Sequence, residues 1–195
     1  KLIDTSWYDE KKTEYVLHDK ADLNGLAYLS NSINFEGKTI KLGADIVVNT
    51  DMKNPTYKWD PIGNKDKAFA GTFDGCMHTI SGLYGKGFER RMALFADTQM
   101  SCSVKNLSLT NSYFETIGHR GTASIVSHGG GKFKKIYSDA IIVHKGENVG
   151  GIASSIDVQS TFEECWFDGD IKITNRDCGG IIDEVLGARV TVKHC

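Results

Sequence analysis

Val149-Gly150-Gly151-Ile152-Ala153 is followed, 29 residues on, by Cys178-Gly179-Gly180-Ile181-Ile182. Phe133-Lys134-Lys135-Ile136-Tyr137-Ser138-Asp139-Ala140 aligns at the same spacing with Phe162-Glu163-Glu164-Cys165-Trp166-Phe167-Asp168-Gly169. The pattern returns once more as Val192-Lys193-His194-Cys195. A segment that repeats at fixed length cannot bury its apolar face alone. It does so by stacking on its neighbours.

Working outward, Val104 and Leu107 fill the slots of Phe133 and Ile136 one period earlier. A second slot reads Ala93-Leu94-Phe95-Ala96, Ser124-Ile125-Val126-Ser127, Gly151-Ile152-Ala153-Ser154 and Gly180-Ile181-Ile182-Asp183. Tyr113, Ile142 and Ile171 form a third series. Three apolar series per period of about 29 residues predict three short strands and three turns per coil. The fold class is therefore all-β, a parallel β-helix, with coils about 4.8 Å apart, the ordinary inter-strand spacing. Leucine-rich repeats would need leucine where these slots hold Ile, Val, Phe and Cys, and a β-sandwich needs no constant register.

Upstream, Tyr15-Val16-Leu17, Gly37–Leu42 and Asp45–Val48 read as strands. One helix is expected over residues 19–30, with Asp19 as N-cap and Leu23, Leu26, Ala27 and Leu29 on one face. It is placed to cap the first coil, since an open β-edge invites pairing with other chains. The expected organisation is one domain, 1–195: cap and first coil over 1–48, a long polar loop over 49–63, and repeated coils over 64–195. The last ladder stops in mid-run, so the chain is expected to be part of a longer protein, linked to further domains.

Composition narrows the function. Lys and Arg number 23 against 25 Asp and Glu, a balance that disfavours nucleic acid, which needs clustered excess cation. No apolar run is long enough for membrane insertion. Glycine is abundant (21) and proline scarce (2), which suits tight turns between ladder-paired strands. Five cysteines leave at least one unpaired within the chain. Cys76 and Cys102, 26 residues apart, sit close to one coil's spacing and are a candidate disulfide. Cys165 and Cys195 read as inward apolar fillers.

The segments Phe69-Ala70-Gly71-Thr72-Phe73-Asp74-Gly75, His78-Thr79-Ile80-Ser81-Gly82-Leu83 and Lys105-Asn106-Leu107 resemble the repeat region of GLUG-motif proteins. Trp7-Tyr8, the helix with Leu23 and Leu26, Gly37–Leu42 and Pro61-Ile62-Gly63 match the way such regions begin. The resemblance covers nearly the whole chain. It departs at Ala93-Leu94-Phe95-Ala96, where the family has Gly-Leu-Phe-Gly, and at Glu164-Cys165 and His194-Cys195, where it has Asn-Cys. Such regions occur in secreted and wall-attached bacterial proteins, among them adhesin-like proteins and metallopeptidases that cleave immunoglobulin A. The resemblance implies a right-handed β-helix and an extracellular or bacterial cell-surface setting; it does not imply an activity.

The residues point to binding rather than catalysis. There is no His-Glu-x-x-His, no paired Cys-x-x-Cys, and no nucleophile with a base at recognisable spacing. The glycine-rich His128-Gly129-Gly130-Gly131 lacks a phosphate loop's Lys-Ser/Thr ending. No metal or cofactor is expected. Asp139 and Asp168 share a slot on successive coils. They suit turn residues better than a glycosidase pair or a calcium site, and Lys134/Glu163 reads as a solvated charge ladder. Two surface features stand out. Tyr137 and Trp166 share an outward slot, where two exposed aromatics can meet a sugar ring or a protein. The loops 84–92 with Arg90 and Arg91, 116–122 with His119 and Arg120, 145–149 and 174–177 should line one corner of the spine, where variable loops bind. The expected role is a non-catalytic β-helical scaffold or adhesion module binding a host protein or glycan. The alternatives are a polysaccharide-degrading β-helix enzyme and an accessory region of a large secreted hydrolase. A groove of outward acids and bases across two or three coils would favour the enzyme.

Overall fold

One rung of side chains runs the length of the molecule. Tyr15, Ile40, Phe73, Val104, Phe133, Phe162 and Val192 pair in parallel register, each directly over the last. A computed structural model describes residues 2–174 and 178–195. These form a parallel β-solenoid of about six turns with one short helix. Right-handed crossovers are the sense that connections between parallel strands of one sheet almost always take. The two coils compared at the outset stack as expected: the ring centroids of Phe133 and Phe162 are 4.7 Å apart and the rings are nearly parallel, at 7°. The backbone N–H of Ile152 donates to the carbonyl of Ile181.

Each coil presents three faces. The first sheet holds Glu14–Leu17, Thr39–Leu42, Thr72–Asp74, Ser103–Thr110, Lys132–Ser138, Ser160–Phe167 and Val190–Lys193. The second holds Tyr84–Phe88, Tyr113–Gly118, Ile141–Gly146 and Asp170–Ile173. The third holds Phe95–Asp97, Val126–Gly129, Ala153–Ile156 and Ile182–Val185. Inward residues of all three form one apolar core. The 49–63 loop is less detached than its composition suggests: Trp59 and Ile62 are buried in that core, and Ile62 bridges Phe95 at the start of the third sheet. Asn49 organises the loop. It is 4% exposed, its amide donates to the carbonyls of Tyr57 and Gly82, and its carbonyl accepts from the N–H groups of Thr56 and Tyr57.

The helix is Lys20–Leu29, and the Asp19 carboxylate accepts from the N–H groups of Ala21 and Asp22. Leu23, Leu26 and Ala27 enter the core. At its end, the Ser30 hydroxyl accepts from the N–H of Gly63 (2.9 Å), so the helix covers the third sheet's first rung. Gly25, unfavourable for a helix, is explained by space. A Cβ there would collide with the backbone of Asp4, which crosses the helix at that point.

Two expectations are corrected. In the second sheet Ile142 pairs with Phe114 and Ile171, while Tyr113 pairs with Ile141. Leu109 is level with Ser138, so the earlier turn carries one extra residue, absorbed where Asn111 takes a positive φ of 46°. Cys76 and Cys102 are free thiols, one exposed and one buried. Asp74 is level with Lys105 and Thr72 with Ser103, so Cys102 lies beside Gly71 rather than Cys76. Cys165 is buried, and burial, with Cys195 nearby, pushes its thiol up to about 12. Cys195 sits on the same rung but is exposed.

The first sheet bends at one slot in each of its last four coils. Asn106, Lys135, Glu164 and His194 have positive φ of 54°, 54°, 52° and 52°. This left-handed region costs most L-residues about 1–2 kcal/mol and Asn less. We therefore expect Lys135→Asn and Glu164→Asn each to stabilise the fold by about 0.5–1 kcal/mol. Asn106→Val should destabilise it, because a β-branched residue tolerates this region least. Urea midpoints at unchanged slope measure all three. Asn49→Ala should cost about 2–4 kcal/mol, because it leaves several buried backbone groups unpaired.

Candidate functional site

The turns between the second and third sheets stack on one another. Met92, Thr122 and Val149 are bridged in sequence at their ends, and Val149–Gly150 pairs with Cys178–Gly179. The repeated glycine has a steric cause. A Cβ on Gly150 would strike the carbonyl of Ala153, and one on Gly179 that of Ile182. With the base of each turn fixed this tightly, its tip is free to vary. The fourth predicted loop, 174–177, falls outside the described residues except for Thr174.

Three of the four predicted corner residues share one crevice of about 440 Å3: Arg90, Arg91 and Arg120 line it, while exposed His119 does not. Its far wall is the helix, through Ala27 and Tyr28, with Asn31 of the turn that follows, and its floor includes Ala96 and Asp97 of the third sheet. The 60–65 turn closes one end with Asp60, Asn64 and Lys65. The tips of neighbouring turns are tied together, since Glu89 Oε2 accepts from the N–H of His119 at 3.3 Å. Gly118, at a φ of +122°, leaves room for that carboxylate.

The cations differ in how committed they are. Arg91 is ion-paired with Asp97, whose side chain is 7% exposed. Arg90 lies 3.3 Å from Asp60 on the surface. Arg120 is exposed and has no hydrogen bond or ion pair among the described residues. Tyr28 presents a ring that is 60% exposed.

Sequence reasoning missed the row that continues from this floor. Asp97 is level with His128, which is level with Ser155. Asp97 lies 3.3 Å from His128 Nδ1, and Asp157 lies 3.3 Å from its Nε2. These contacts are ion pairs only while the imidazole is protonated. The available signal was spacing: Asp97, His128, Ser155 and Glu184 all fall two residues after the second apolar slot's Phe95, Val126, Ala153 and Ile182.

The predicted aromatics lie elsewhere, on the outer side of the first sheet. Tyr137 and Trp166 are rung neighbours. Trp166 is 66% exposed, and Tyr137 is half-buried, with its phenol pushed up by burial and by Asp139 and Asp168. Asp139 and Asp168 occupy one slot: their N–H groups donate to Leu109 and Ser138, themselves level in the sheet. Asp139 bonds the N–H of Asn111 on the preceding coil (2.9 Å) rather than its own backbone. Lys134 and Glu163 are paired at 3.7 Å across the first sheet's surface.

Beneath the corner lies His144, fully buried. Its Nδ1 is 2.9 Å from the Thr122 hydroxyl, and its Nε2 reaches no partner at good hydrogen-bond geometry. Burial holds this imidazole below its usual 6.5, against weaker backbone interactions with Glu147 and Gly118. The folded state thus favours the neutral ring, while the unfolded chain protonates below about pH 6.5. The His144 contribution is complete above that pH and is lost as pH falls through and below it. Stability should drop by at most about 1.4 kcal/mol per pH unit there, and the difference from His144→Gln, measured by denaturation from pH 7.5 to 5, isolates this slope. Gly118→Ala should destabilise the corner, because its Cβ meets the Glu89 carboxylate at a φ that L-residues avoid.

No family model and no curated protein matches the chain. Among solved structures it is similar to a protein from Bacteroides ovatus described as a "putative immunoglobulin A1 protease", with a TM-score of 0.61 at 17% identity. The match covers 98% of this chain and 67% of that one. At this identity the likeness shows the fold, and the fold that it shows is the β-helix read from the repeat.

Proposed function

We propose that this chain is a non-catalytic β-helical module of a bacterial surface or secreted protein, which binds a host protein or glycan through its corner crevice. The carrying observation is the convergence of Arg90, Arg91 and Arg120, from two successive turns, on a hollow walled by the exposed ring of Tyr28. A rigid spine presenting variable turn tips is a general platform for recognition. The GLUG-motif resemblance and the "putative immunoglobulin A1 protease" of similar fold both support a secreted or surface setting. They also support a place beside further domains, as scaffold or as an accessory region of a larger hydrolase.

A polysaccharide-cleaving enzyme is the second reading, favoured by the acid–base row Asp97–His128–Asp157 across three coils. The same geometry weighs against it. Asp97 is enclosed and held by Arg91, and both nitrogens of His128 face carboxylates, which leaves neither free for a substrate proton.

The test is a panel of host glycoproteins and glycans presented to the purified chain. Binding should fall about tenfold or more, about 1.4 kcal/mol, in both Tyr28→Ala and Arg120→Ala, with the thermal melt unchanged. Binding that survives both variants moves the site away from the crevice, and loss in Trp166→Ala alone moves it to the first sheet. Release of reducing sugar ends, abolished by Asp157→Asn, would replace the binding reading with the enzymatic one.

A further inference from the structure

Resting on the crevice as the binding site, we infer that its ligand is a sugar residue bearing a single carboxylate, the ring lying on Tyr28 and the carboxylate on Arg120. The first argument is charge. Four cations line the crevice, Lys65, Arg90, Arg91 and Arg120, against three carboxylates, Asp60, Glu89 and Asp97. Arg91 and Arg90 are spoken for by Asp97 and Asp60. One surplus positive charge matches one carboxylate. A run of acidic residues in a peptide, or a densely sulfated chain, would meet three fixed negative charges that repel it.

The second argument is the mixture of hydrogen-bonding groups. Sugar hydroxyls both donate and accept, so a site for them needs acceptors beside its donors. Asp60 and Glu89 supply carboxylate oxygens, Asn31 and Asn64 amides, and the arginines planar donors within the same hollow. The third is the ring. Tyr28 stands 60% exposed on a helix whose adjacent residues Leu26 and Ala27 are locked in the core. A flat apolar face held at the edge of a polar hollow suits the C–H face of a pyranose. A volume of about 440 Å3 lies in the range of small-ligand sites, roughly 300–1,000 Å3. A folded protein epitope would instead need about 800 Å2 of contact on each side. Arg120, whose guanidinium can take a carboxylate in a two-pronged contact, is the uncommitted group that sets the preference for acid.

Titration calorimetry on the whole chain tests this with four probes: a hexuronate oligosaccharide, a sialylated oligosaccharide, a matched neutral oligosaccharide and an oligo-glutamate peptide. One of the two acidic sugars should bind at least tenfold more tightly than the neutral one, and the peptide should not bind. Arg120→Gln should bring the acidic-to-neutral ratio close to one, by weakening the acidic sugar more than the neutral one. Tyr28→Ala should weaken both sugars by a similar factor, with an unchanged thermal melt showing that the fold is kept. Equal binding of acidic and neutral sugars by the native chain, or a ratio that persists in Arg120→Gln, overturns the inference. If the peptide binds in preference, the sugar assignment fails while the crevice reading stands. If none of the four binds but host proteins on the panel do so through Tyr28 and Arg120, the inference again falls alone. If neither set binds, both fall.

Discussion

Every inward side chain in this molecule is judged by the side chain directly beneath it. Parallel strands about 4.8 Å apart bring chemically similar groups into contact over and over, as Phe133 does with Phe162. Burial is therefore a property of neighbouring coils rather than of any one segment. The last coil makes the point. Val192 is 50% exposed although its rung partner Phe162 is fully buried, and Val185 is 46% exposed above a fully buried Ile156. The slots and the chemistry are alike, and what differs is that no described residue lies above. At the other end the helix does that covering with Leu23, Leu26 and Ala27, which is why it tolerates a glycine where the N-terminal segment must cross. Stability in such a stack is close to a sum of nearest-neighbour terms.

The stacking rule constrains strands and turn bases but not turn tips. Gly150 and Gly179 are held by contact with the carbonyls three residues on, so these two turns must close in the same way. Beyond that point the chain is in solvent, and residues 89–91 and 119–120 carry charge instead of apolar groups. The one turn-to-turn tie there, Glu89 to the N–H of His119, is polar and local. His144 beneath the same corner couples it to proton concentration, since its neutral form is what the packed interior accepts.

This division also explains what could be read from the sequence. The rungs were legible because each is a long-range identity in a fixed register, and Phe133/Phe162 and Ile152/Ile181 lie where the spacing put them. The slip at Tyr113 arose because spacing alone cannot see the extra residue that Asn111 absorbs in the turn before it. The same blindness produced the Cys76–Cys102 pairing, for a spacing near one coil does not give the register of either residue. The corner arginines were legible as turn-tip charges, but their convergence with Tyr28 was not, because helix and turns are far apart in sequence and meet only through the fold. Asp97 and His128 were hidden for another reason. Asp97 is almost wholly enclosed although it carries a charge, so its strand does not show the clean alternation that marks an outward residue.

A solenoid face is flat and repetitive, and flatness is poor material for a site, because a ligand on it would find the same surface one coil away. Concavity requires something that breaks the repeat. In this chain the break is at the first coils, where the helix takes the place of a strand and the 60–65 turn closes over the end of the third sheet. The helix contributes a wall that no strand could, with Tyr28 directed away from the core that holds Leu26 and Ala27. The arginines of the adjacent turns then face that wall across the sheet. The crevice therefore lies where the cap meets the repeat, and the element that protects the stack's edge also makes one stretch of its surface unlike all the others.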